Sequence, residues 1–97
     1  MDTSMPTVGS DLFNKDGVKV GSVVDVLFDP ATLKPEWYAV KVGLLGGNHL
    51  VPAESVTVEE GHGVVPFDKK VIKSAPGTSI PPVEEERRSL VAHYNAA

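Results

Sequence analysis

The longest period-two run in the chain lies at 18–28, where Val18, Val20, Val24, Val26 and Phe28 share one parity and Lys19 and Asp25 occupy the other. This pattern predicts a long strand. Val23 and Leu27 interrupt the alternation, so the pattern alone does not fix which face is buried. Gly21 lies inside the run with no side chain, the natural place for a bulge or for the close approach of a neighbouring backbone. Just upstream, Asn14-Lys15-Asp16-Gly17 carries a glycine able to take positive φ, which predicts a short hairpin back to a segment at 10–13.

After Phe28, Asp29-Pro30-Ala31-Thr32-Leu33-Lys34-Pro35 reads as a turn, with Asp29 starting it ahead of Pro30. A second strand is predicted at 37–42, with Tyr38, Val40 and Val42 on one face and Trp37, Ala39 and Lys41 on the other. The glycines at 43–47 end it. Shorter extended pieces at 49–51, 55–58 and 64–67 are separated by Pro52 and by a predicted hairpin tip at Gly61-His62-Gly63. The sum is five or six short strands with glycine and proline turns. That spacing argues for an all-β domain closed into a small barrel, because closure removes unpaired strand edges.

Asp68 is placed to cap a single helical turn before Pro76. From Pro82 the period changes: Val83, Leu90, Val91 and Tyr94 recur at helical spacing behind Glu84, Glu85 and Glu86, predicting an amphipathic helix over 82–95. The organisation expected is a lead-in at 1–7, a β domain at 8–76, a linker at 77–81 and the terminal helix.

Composition narrows the possible functions more than it identifies one. A chain of 97 residues, 41% hydrophobic and 23% charged, has room for one core. Nine basic against thirteen acidic residues leave a net charge of −4, which disfavours phosphate backbones and anionic lipid unless the lysines segregate. In sequence only Lys69, Lys70 and Lys73 cluster. With no cysteine, disulfides, thiolate metal sites and cysteine nucleophiles are ruled out. No run approaches the length of a membrane span, and a protein of the reducing cytoplasm, neither secreted nor inserted, is expected.

The 17–29 segment, Gly-Val-Lys-Val-Gly-Ser-Val-Val-Asp-Val-Leu-Phe-Asp, resembles the signature strand of PRC-barrel domains. Pro35-Glu-Trp-Tyr-Ala-Val-Lys-Val-Gly-Leu-Leu-Gly46 followed by Leu50-Val-Pro52 is similar to the family's second hairpin and its proline-ended third strand. The stretches 65–76 and 85–94 resemble the tail of short stand-alone bacterial members, so the likeness spans about 8–95. It implies a small closed barrel used as an interaction module, as in the photosynthetic reaction-centre H subunit and the ribosome maturation factor. The resemblance implies no catalytic chemistry and no cofactor. The specific roles of those two relatives do not carry over to a chain without their accompanying segments.

The chemical candidates are weak. Asp25 and Asp29 share a parity but stand about 13 Å apart in an extended strand, and turn and backbone roles account for them better than paired acid–base work. His49, His62 and His93 show no ligand spacing, so no metal site is expected. Ser10, Ser22, Ser55 and Ser74 lack a nucleophile-elbow context. Gly43-Leu-Leu-Gly-Gly has no phosphate-binding lysine of its own and reads as a turn. No enzyme is argued from this set. Trp37, Tyr38, Leu44, Leu45, Leu90 and Tyr94 are instead the candidate protein interface, with closure of the barrel and reception of the helix as the competing role. The expectation is a non-catalytic, homodimeric assembly module with an unidentified protein partner. The alternatives are an RNA- or ribosome-associated barrel, and a small-ligand binder or enzyme built on Asp25, Asp29 and a histidine.

Overall fold

The structure is a computed structural model that describes residues 7–43 and 47–97. Strand β1 (Asp11–Phe13) turns into β2 (Lys19–Phe28) through the predicted Asn14–Gly17 corner. Asn14 Oδ1 accepts the Asp16 and Val18 amides at 2.9 and 3.0 Å, and Gly17 takes φ 82° to close the turn. β2 then pairs antiparallel with β3 (Pro35–Lys41) across the predicted Asp29 turn, where Asp29 Oδ1 accepts the Ala31 amide at 2.8 Å. β3 pairs antiparallel with β4 (Asn48–Pro52).

The broken alternation in β2 has a physical cause. Val23 faces Val40 and Asp25 faces Ala39, so Val24 is an extra residue bulged from the β2–β3 ladder. A second slip, against β1, leaves Val20 unpaired between Gly21 opposite Leu12 and Lys19 opposite Phe13. Together these bury Val20 and Val23, three residues apart, and leave Val18, Val24 and Phe28 exposed. The shared parity of the five apolar residues therefore does not define the buried face. Gly21 is the site of the predicted close approach: a Cβ there would lie 2.5 Å from Val40 Cγ1 and 2.8 Å from the Lys41 carbonyl oxygen.

The sheet has six strands in the order β4-β3-β2-β1-β6-β5, adding β5 (Thr57–Glu59) and β6 (His62–Val64). The expected closure is not made by hydrogen bonds: β4 and β5 are the two edges of an open ladder. They are consecutive in the chain, joined through a 3-10 turn at Ala53–Ser55 that follows Pro52, so the backbone bends across the seam where pairing would close it. That turn consumes Ser55, and β5 begins two residues later than the apolar pattern predicts. The hairpin tip falls at Glu60-Gly61, with φ 52° and 85°, so His62 and Gly63 belong to β6. The predicted 64–67 strand ends at Val64, although the Val65 amide still donates to the Phe13 carbonyl at 2.9 Å. Pro66, lacking an N–H, cannot extend the ladder. β1 and β6 run parallel, the one parallel pair among the described strands.

A five-residue helix, α1 (Lys69–Lys73), follows Asp68 as predicted, but the Asp68 carboxylate does not cap it. It accepts instead from Asn14 Nδ2 at 3.1 Å, tying the first turn of the domain to the start of α1. The terminal helix α2 (Glu84–Asn95) begins two residues later than expected. Leu90 and Tyr94 face the core, whereas Val83 and Val91 remain exposed. One cluster holds Leu12, Val20, Val23, Val40, Val51 and Val65 from the strand region together with Ile72, Leu90 and Tyr94 from the helical tail. The helices are thus part of the same core as the sheet. None of the described helices is long and apolar enough to cross a membrane.

Candidate functional site

Trp37 and Tyr38 point to opposite faces of β3, as their parity requires, yet they are only 4% and 3% exposed. Both faces of β3 are covered, because the helical tail packs on a sheet already filled on its other side. Leu90 and Tyr94 are likewise buried. Four of the six interface candidates therefore serve this chain's own core, and Leu44 and Leu45 lie outside the described residues. Burial alone pushes the Tyr38 hydroxyl above its ordinary pKa, as expected of a side chain inside the fold.

The outer side of Trp37 borders a cleft of about 680 Å³ between α2, the β2–β3 turn and the end of β4. Its apolar walls include Pro35, Trp37, Pro52, Phe67 and Val91. The Phe67 and Tyr94 rings, 4.8 Å apart at 51°, support it from beneath. The Trp37 indole N–H is buried and has no acceptor among the described residues. Arg87 bridges the two sides of the cleft: one guanidinium nitrogen bonds the Glu36 carboxylate on β3, and the other lies 3.5 Å from Glu84 on its own helix. Arg88 reaches Glu84 at 3.4 Å. These pairs are solvent-exposed in part and each contributes at most about 1 kcal/mol. Their positions, more than their energy, shape the cleft.

The other candidates separate in space. Asp25 accepts from the next amide, Val26, at 2.8 Å, and of the two aspartates only Asp29 reaches the cleft, which Ser55 also lines. His62 packs edge-on to Phe13 at 4.9 Å. Partial burial, reinforced by the Lys73 charge, holds His49 below the ordinary histidine pKa. His93 Nε2 donates to the Val71 carbonyl at 2.7 Å, which commits that nitrogen to carrying a proton. The Ser74 hydroxyl, 3.5 Å from the same nitrogen, therefore has no base there, and it bonds the Val71 carbonyl itself. Among the described residues no three His, Asp or Glu side chains come together as metal ligands. The ligand-site reading that joined Asp25, Asp29 and a histidine does not survive this placement.

Two arrangements escaped the sequence reading. The Glu86 carboxylate accepts the Val83 amide at 3.0 Å and the Ser79 hydroxyl at 2.8 Å, half of a capping box whose partner residue, Val83, has no acceptor to return the bond. A glutamate three residues after Val83, at the start of the helical pattern, is the available signal. Arg87–Glu36 spans 51 positions and left no local trace.

A small β-sheet carrying a helical tail, with its core shared between the two, is the class of protein this fold defines. The PRC-barrel domain model matches residues 7–72, and the chain belongs to that family. The match ends within α1, so α2 and the cleft wall it supplies lie beyond the family segment. No curated protein matches the chain.

Proposed function

We propose that this protein is a non-catalytic assembly module that pairs with a second copy of itself through the cleft beside α2. The observation that carries the reading is that cleft: Pro35, Trp37, Pro52, Phe67 and Val91 form an apolar floor among charged side chains, left unfilled by the described residues. Val91 stands on its wall 46% exposed, one residue from fully buried Leu90. Phe28, the last residue of β2, and Leu33, in the β2–β3 connection, are also exposed and adjoin the cleft-lining Asp29, Thr32 and Lys34 in the chain. Seating a second copy there would cover apolar area that a domain of this size cannot cover alone.

Sedimentation velocity across the micromolar range tests the idea. The expected result is a concentration-dependent dimer that Val91→Glu converts to monomer without lowering the melting temperature measured at low concentration. A monomer at high micromolar concentration overturns the reading.

A further inference from the structure

On a different part of the molecule, β2, the end of β3 and the start of α1 enclose a hollow of about 420 Å³ lined by Lys19, Lys41 and Lys69 together with Gly21, Ser22 and Gly43. These lysines are 22 and 28 residues apart in the chain, and the fold brings them to one hollow because Lys41 pairs opposite Ser22 on β2 while α1 packs against the same strand. Among the described residues no carboxylate lines it. The cleft beside α2, in contrast, mixes Asp29, Glu36, Glu54 and Glu84 with Lys34, Arg87 and Arg88. On a chain of net charge −4, the charged residues described around this hollow are all cations.

One of the three cations is partly matched: Lys19 Nζ lies 3.2 Å from Asp11, whose carboxylate is held below its ordinary pKa by Lys19 and by the Ser22 hydroxyl. Lys41 and Lys69 have no carboxylate within ion-pair distance among the described residues. Gly21 has no room for a side chain, and Gly43, at φ 75°, has nothing within 4 Å of where a Cβ would stand. The glycine run that starts at Gly43 contains no lysine, but Lys41 stands two residues before it and the fold brings Lys19 and Lys69 from elsewhere.

We propose that this hollow is a binding site for a phosphate group. Ammonium groups act on phosphate as point charges that need no fixed fork geometry, and a dianion draws on each of them twice as strongly as a carboxylate does. The volume exceeds that of a bare phosphate and falls in the range of small-ligand sites, so it admits a phosphorylated molecule or one phosphodiester turn of a strand. The proposal stands independently of the dimer: it concerns another surface and other residues.

The experiment is a two-dimensional amide NMR titration of the whole chain with inorganic pyrophosphate at low ionic strength, repeated with a short single-stranded oligouridylate. Saturable shifts centred on Val20, Gly21, Ser22 and Gly43 are expected. Lys41→Gln with Lys69→Gln should weaken the apparent affinity at least tenfold, whereas Lys70→Gln, which removes the same charge outside the hollow, should change it less than twofold. If the oligouridylate binds more than tenfold tighter than pyrophosphate through the same residues, the phosphate comes from a nucleic-acid backbone. Equal affinities assign it to a free phosphorylated molecule. Shifts that do not saturate, that spread over all the lysines, or that persist in the double variant overturn the site. The spectrum of each variant away from the hollow serves as the check that it remains folded.

Discussion

The Tyr94 hydroxyl donates a 2.7 Å hydrogen bond to the Leu50 carbonyl, fastening the last turn of α2 to the edge strand β4. Burial raises the Tyr94 pKa above its ordinary value, which favours the neutral hydroxyl that donates this bond. Tyr94→Phe keeps the ring against Phe67 and removes only that bond, which should cost about 1–2 kcal/mol and several degrees of melting temperature. A calorimetric scan of the two proteins reads the difference. Equal midpoints would mean that the bond contributes nothing net.

Neighbouring residues on the same helix should behave oppositely. Leu90 is fully buried, and truncating it to alanine should cost about 2–5 kcal/mol in urea unfolding. Val91→Ala, on the exposed side, should stay within about 0.5 kcal/mol when measured at a concentration low enough to keep the chain monomeric. Comparable losses at both positions would place α2 differently.

Gly21→Ala forces a methyl group into Val40 and the Lys41 carbonyl, and the backbone oxygen cannot swing aside. A destabilisation of about 1–3 kcal/mol is expected from the resulting parting of β2 and β3. Gly77→Ala, where nothing lies within 4 Å, is the control and should be neutral or slightly stabilising. Chemical denaturation of both variants distinguishes crowding from a general cost of replacing glycine.

Glu86 links acid stability to the start of α2. Its carboxylate is held below the ordinary value of 4.5, first by the Val83 amide and then by the Ser79 hydroxyl. A carboxylate whose folded pKa is depressed contributes stability that is fully present above about pH 4.5 and lost as the pH falls through the folded value. Glu86→Gln should therefore be less stable than the parent at neutral pH, with the gap narrowing as acid is added. Urea midpoints collected from neutrality to pH 3 follow it, and a gap independent of pH would contradict the assignment.

Local chemistry is the part of this fold that is legible in the sequence. The Asn14 and Asp29 turns and the helical period ending in Tyr94 each depend on residues close together in the chain. What the pattern cannot give is set by pairing between distant segments. The bulge at Val24 exists only relative to Val40 and Ala39, and it decides which valines of β2 are buried. Trp37 and Tyr38 look like one core and one surface residue until α2 covers the second face. The lysine hollow is invisible for the same reason: Lys69 looks like part of a Lys69-Lys70-Lys73 run, but in space it shares a hollow with Lys19 and Lys41.

The parallel contact between β1 and β6 joins Leu12 to Gly63, a closure of about fifty residues that costs more chain entropy than the short turns beside it. The β2–β3–β4 meander can assemble from near neighbours before that expense is met. The long closure therefore sets the kinetic bottleneck: substitutions at Leu12 or Gly63 should slow refolding, while those confined to the meander should mainly hasten unfolding.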